Sequence, residues 1–329
     1  MELAKEAVPL ARSAAKSEVD VMSMSSRQFR SAAAAGLVAT AVVLALLAAP
    51  AGATTYTLQD LGSSAGFDTA PAPLDAKSAT YARPGMFSWT SGGVDQMYQQ
   101  WFWYRVGASG PERSLDSLTE LGVQLADTNF LWDPSPDTLT LHYGNGATLG
   151  ASSMVVSVSY MLRGGLDGEG LASDITEVIT IVNKGATPLD MHFFQYTDLD
   201  LAGEGGGDLA MLSGPYNTIR QSGGNGHAAG EMVITPGPSH YEIALWGDTL
   251  AKLNDADADS LADIAGVVGP GDVTWAFQWD FTIPAGTSVR ISKDKQLVLM
   301  PEPITVVGVM GGLAGLAGYL RRRARGAKA

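Results

Sequence analysis

Between Trp275 and Ile283 the apolar side chains fall on every second residue. Trp275, Phe277, Trp279, Phe281 and Ile283 take one side, and Gln278, Asp280 and Thr282 the other. A period of two is the signature of a strand with one buried face, and no helix presents residues in that way. Met154 to Leu162 repeats the pattern, with Val156, Val158, Tyr160 and Leu162 opposite Ser157 and Ser159. Ile175 to Val182 is rich in β-branched residues, Asn183 to Pro188 has turn chemistry, and Leu189 to Tyr196 runs on, which predicts a hairpin with a long loop. Further strands are expected near Tyr56–Leu61, Gln96–Val106, Thr138–Tyr143, Glu231–Thr235, Tyr241–Trp246 and Ser288–Leu299, punctuated by Gly and Pro. Gly203–Gly207 and Gly223–Gly230 read as loops, and Ser114–Leu125 holds a helical turn or two at most. About a dozen short strands without intervening helices predict an all-β fold, an antiparallel β-sandwich with Greek-key-like connections.

Composition bounds what such a sandwich can do. Of 329 residues, 46% are hydrophobic, enough for a sizeable core, and none is cysteine. A core must therefore hold the fold without disulfides, and thiolate nucleophiles and thiolate metal sites are excluded. Residues 54–300 carry 29 acidic against 11 basic side chains. Such a surface repels phosphate backbones, so nucleic acid is not an expected partner.

The two ends have a different composition. Arg27 and Arg30 precede the uncharged run Ala32–Ala49, and Pro50-Ala51-Gly52-Ala53 closes it, the layout of a secretory signal peptide with Ala51 and Ala53 at the cleavage site. Residues 1–21 form a long charged preface, and Met22 or Met24 is an alternative start. At the other end Pro301-Glu302-Pro303 leads into Ile304–Leu320, which has no charged residue, and Arg321, Arg322, Arg323 and Arg325 follow. As a helix the span would reach about 25 Å, the short end of what a bilayer core requires, and arginines hold such an end on the cytoplasmic side. The chain thus divides into 1–53, a leader with a signal helix; 54–300, the exported domain; and 301–329, a tail with a transmembrane helix at 304–320.

The order Pro-Glu-Pro, short apolar span and arginine cluster resembles the PEP-CTERM sorting signal of exosortase-bearing Gram-negative bacteria. The resemblance covers only the tail. It implies that Pro301, Glu302 and Pro303 are the recognition element, that the inner membrane is a transient partner, and that signal peptidase and an exosortase-like enzyme process the chain. Delivery to the cell surface or an extracellular matrix follows. Trp101–Val106, Phe193–Asp200 and Ala276–Phe281 resemble a β-rich ectodomain found ahead of such tails, which supports the fold alone.

Candidate chemistry is sparse. Asp255, Asp257, Asp259 and Asp263 take positions 1, 3, 5 and 9 of a Ca2+ loop, but Ser260 stands where glycine makes the turn and Gly266 where an acid closes the shell. Asp198, Asp200, Glu204 and Asp208 form a second acidic patch in a glycine-rich segment. Gly62-Ser63-Ser64-Ala65-Gly66 has G-x-S-x-G spacing, but Pro71 and Pro73 oppose the helix a nucleophile elbow needs. The histidines at 142, 192, 227 and 240 lack metalloprotease spacing. Trp132, flanked by Asp133-Pro134-Ser135-Pro136, is the tryptophan expected at the surface and the candidate ligand contact. Cofactors other than Ca2+ are not expected.

From sequence, the expectation is an exported structural or adhesive protein without enzymatic activity. The alternatives are a glycan-binding module, which requires an exposed aromatic platform, and a carbohydrate-active enzyme, which requires two convergent carboxylates with at least one raised pKa. Extracellular polysaccharide is the partner these readings share.

Overall fold

A computed structural model describes residues 55–69, 84–129, 133–165, 172–223 and 226–299. The signal segment with Ala51 and Ala53, the candidate Trp132, and the tail with Pro301, Glu302, Pro303 and the four arginines lie outside them. Among the described residues no helix is long and apolar enough to cross a membrane.

The first strands are β1 (Thr55–Asp60), β2 (Ser63–Asp68), β3 (Gly85–Ser91), β4 (Val94–Asp95), β5 (Gln99–Val106) and β6 (Arg113–Ser114). Then come β7 (Thr119–Ala126), β8 (Thr138–Gly144), β9 (Met154–Gly164), β10 (Ser173–Asn183), β11 (Leu189–Asp198) and β12 (Asp208–Ser213). The chain continues through β13 (Thr218–Ser222), β14 (His227–Thr235), β15 (His240–Leu245), a short helix α1 (Asp248–Leu253), β16 (Gly266–Gly271), β17 (Val273–Ile283) and β18 (Ser288–Leu299).

These strands form two nine-stranded antiparallel sheets. The first runs β1-β2-β3-β5-β11-β17-β15, with β4 and β6 on β3 and β5; the second runs β16-β12-β13-β14-β18-β10-β9-β8-β7. The alternation read in β9 and β17 is the pleat itself. Phe102, Phe193, Phe277 and Trp279 pack on the inner face of the first sheet, with Phe102 and Phe193 stacked at 5.4 Å. Leu141, Val156, Val158, Ile179 and Ile291 are buried from the second. Each large side chain removed from water contributes about 1.5–3 kcal/mol. Trp89 fastens the sheets together, its indole N–H donating to Ser173 Oγ at 2.9 Å.

The structure corrects three local expectations. Strands β10 and β11 are not a hairpin, because they belong to different sheets. Residues 184–188 carry the chain across the roughly 10 Å between stacked sheets. Asn183, which looked like a turn residue, is the buried clasp of that crossing: its Nδ2 donates to Thr187 O and Ile283 O, both at 2.8 Å. The segment Ser114–Leu125 does hold a single 3-10 turn, Leu115–Ser117, but the rest of it is mostly strand, and Gly223–Gly230 runs into β14 rather than forming a loop throughout. The G-x-S-x-G segment is a hairpin: Leu61 and Gly62 turn the chain and Ser63 begins β2.

Candidate active site on the outer face of the second sheet

Register decides which side chains meet. In the second sheet Glu177 pairs with Lys293 and both face inward, so the adjacent pair, Thr176 and Asp294, faces outward. Asp174 lies two residues further along β10, diagonal to Asp294, and opposite Arg163 of β9. Asp174 and Asp294 thus lie near each other on one face of two adjacent strands. Burial, then the charge of Asp294, push Asp174 up to about 6, against the pull of Thr176 and Arg163. Thr176 Oγ1 donates to Asp294 Oδ1 at 3.0 Å. Arg163 is fixed by Asp137 Oδ2 at 2.6 Å.

Beyond the pair, the same face is lined by half-buried hydroxyl and imidazole groups. Thr140 and Ser159 are bonded at 2.9 Å, and His142 Nδ1 meets Ser157 Oγ at 2.8 Å. Burial lowers the pKa of His142 from the ordinary imidazole value. Strands repeat these groups at about 4.8 Å across the sheet, giving a flat, hydrogen-bonding strip that ends at the two carboxyl groups.

Other groups gather on the first sheet, whose outer face is roofed by α1 and residues 254–263. Leu261 N donates to Gln278 Oε1 at 2.8 Å, Ala262 N to Glu242 Oε2 at 2.9 Å, and Asp259 N to Glu112 Oε1 at 3.1 Å. The candidate Ca2+ residues lie in this strap. Asp255 caps Asp257 N at 2.8 Å, and Asp259 is raised by burial and by its neighbours Asp255 and Asp257. Asp263, with φ of 56°, is turned instead toward His240, 3.1 Å away. His240 reaches Asp280 at 3.4 Å, and Asp280 reaches His192 at 2.6 Å.

The second acidic patch is partly assembled. Asp198 and Asp200 meet Asp272, which the sequence reading did not include, with ligand atoms within 4.8 Å of one another. Burial and the charges of Asp200 and Asp208 push Asp272 up to about 6. Asp208 is tied to Gln221 Nε2 at 2.5 Å, and Glu204 is exposed in the loop. A cavity of about 490 Å³ opens beside the 184–188 crossing, lined by Tyr104, Arg105, Arg113, Asn145 and Asn183. Its lining contains no carboxylate.

The fold defines a class, a large two-sheet antiparallel sandwich, and Asp174 and Asp294 lie on the outer face of one sheet. No family model and no curated protein matches the chain. Among solved structures it is similar to a bacterial glucoamylase complexed with acarbose, at 8% identity and TM-score 0.49, over 77% of this chain and 34% of that one. It is also similar to a galactose mutarotase related enzyme from Lactobacillus acidophilus, at 7% identity and TM-score 0.43, over 76% and 99% of the two chains. A galactose mutarotase-like protein from Lactobacillus casei gives 9% and 0.38, over 74% and 100%. The chain spans about a third of the glucoamylase. These neighbours are named for carbohydrate-active enzymes, and on that finding the expectation of a structural or adhesive protein without enzymatic activity is corrected.

Proposed function

We propose that this domain is a carbohydrate-active enzyme in which Asp174 and Asp294 exchange protons with a sugar. The neighbouring carboxyl groups of β10 and β18, with Asp174 pushed up to about 6, carry the reading. A group that titrates near neutral pH can both give and take a proton, and two neighbouring carboxyl groups can divide the roles of acid and base. Glycosidases separate their carboxyl groups by about 5–5.5 Å or about 6.5–9.5 Å, to admit a covalent intermediate or a water. A pair on diagonal positions of adjacent strands, near enough for the charge of Asp294 to raise Asp174, suits a transfer within one sugar ring. Protonated Asp174 gives its proton to the ring oxygen of a cyclic aldose while Asp294 takes the proton of the anomeric hydroxyl. The ring C–O bond breaks, the carbonyl forms, and reclosure on the other face returns both protons. No cofactor is consumed. The hydroxyl strip from Thr140 to Thr176 supplies donors and acceptors for the remaining sugar hydroxyls.

The sequence of the two ends supports export as part of this proposal. Cleavage after Ala53 and sorting through Pro301-Glu302-Pro303 would deliver the domain to the cell surface or matrix, where extracellular polysaccharide supplies the sugars.

The test follows the relaxation of freshly dissolved single-anomer aldohexoses by polarimetry and proton NMR. Wild type should accelerate relaxation for at least one aldose, and Asp174→Asn and Asp294→Asn should each abolish the effect. Relaxation at the buffer rate across the panel, or an acceleration untouched by either substitution, overturns the proposal.

A further inference from the structure

Four charged side chains are enclosed between the sheets. Glu177, Glu231, Lys293 and Lys295 are each 0–2% exposed, and they come from the adjacent strands β10, β18 and β14. Each lysine stands directly opposite a glutamate in the ladder: Glu177 faces Lys293, and Glu231 faces Lys295.

The two glutamates differ. Glu231 is held as a carboxylate by Gln195 Nε2 at 2.7 Å, Trp275 Nε1 at 2.8 Å and Lys293 Nζ at 3.1 Å. Glu177 is held by the lysines alone. Lys295 donates to its Oε1, while Lys293 Nζ stands 2.6 Å from Oε2, an oxygen with no hydrogen-bond partner. That contact sets the Lys293 Nζ directly against the Glu177 carboxyl group, and holding reacting groups together is worth several kcal/mol of a barrier. Lys293 also lies over the ring of Phe102 at 5.2 Å.

We propose that Lys293 and Glu177 condense to an intramolecular isopeptide bond joining β10 to β18. Glu231 accepts a proton from the Lys293 ammonium, and the freed amine attacks the Glu177 carboxyl carbon. Lys295 stabilises the charge on Oε1. The C–N bond forms, the C–Oε2 bond breaks, and Oε2 leaves as water with two protons from Lys293, one of them passed on by Glu231. One carboxylate and one ammonium become one amide and one water, with no oxidant or co-reactant. Burying an ion pair costs several kcal/mol per ion in desolvation, and condensation removes one charge of each sign, leaving Glu231 and Lys295 as a balanced pair. Burial holds Lys293 below the ordinary lysine range, which favours the neutral nucleophile, whereas the two glutamates keep Lys295 above it.

The purified full chain is weighed intact and mapped after trypsin digestion. Its mass should be lower by one water than the sequence of its own termini requires. Residues 164–184 should appear only as a branched peptide joined at Lys293 to residues 291–295, because trypsin cannot cut after an acylated lysine. Lys293→Met and Glu231→Ala should restore the full mass and the linear 164–184 peptide. If either variant fails to fold, the wild-type map decides alone. A linear 164–184 peptide of unchanged mass overturns the proposal. So does a water loss at Asp167-Gly168, where a succinimide could form, or a branch joining any other pair.

Discussion

Replacing Asp174 by asparagine should stabilise the protein at pH 7 and leave it unchanged near pH 4. In the folded chain Asp174 is pushed from 3.8 up to about 6, chiefly by burial and by the charge of Asp294. The folded state therefore holds this proton more tightly than the unfolded chain, and between those two values it binds more protons. Stability consequently falls as pH rises through that window, and the full penalty persists above about 6. At face value the displacement is worth about 3 kcal/mol. Asp174 is partly exposed, and screening by water reduces the expected contribution to about 1 kcal/mol. Asparagine has no charge to bury. For a domain of this size the gain at pH 7 is about 2–4 °C in Tm. Scanning calorimetry of both proteins at the two pH values reads the difference directly. Asp272, also pushed up to about 6, titrates in both proteins and cancels. A gap of equal size at both pH values, or a variant less stable than wild type at pH 7, would refute the reasoning.

Arg105→Met should cost about 3–5 kcal/mol, because it leaves Glu112 buried without its cation. Since Arg105 also donates to Asp259 O at 2.5 Å, the denaturation midpoint should drop and amide exchange over 255–262 should quicken together; a loosened midpoint with an unaltered strap would detach the two effects. For export, mass spectrometry of secreted material should find a new N-terminus at Thr54 and a C-terminus at or near Pro301. Protein ending at Ala329 in the outer fraction would contradict processing of the tail.

The strands were legible wherever one face is apolar and the other polar. The series Trp275 to Ile283 and Val156 to Leu162 fixed both period and facing, because a pleat exposes alternate residues whatever the topology. Strands β2, β3, β12, β13 and β16 were missed for physical reasons. Ser63–Asp68 and Gly266–Gly271 are built on small residues, and Leu209 and Met211 put apolar groups on the solvent side. The crossing at 184–188 has the same residues a hairpin would use, and only the partner of each strand tells them apart. The acid pair was hidden for a related reason. Asp174 and Asp294 stand 120 positions apart, and nothing in either neighbourhood announces the other until β10 and β18 are laid side by side. The 255–263 run was conspicuous because its spacing is local, yet three of its acids serve one end of a strap and Asp263 the other.

The last described strand, β18, lies inside the second sheet, bonded to β14 on one edge and β10 on the other. It ends at Leu299, two residues before Pro301. A tether attached at that end would pull on an interior strand. Two hydrogen-bonded ladders would have to slide at once, rather than peel one bond after another, so the domain is clamped most firmly where its leash would tug.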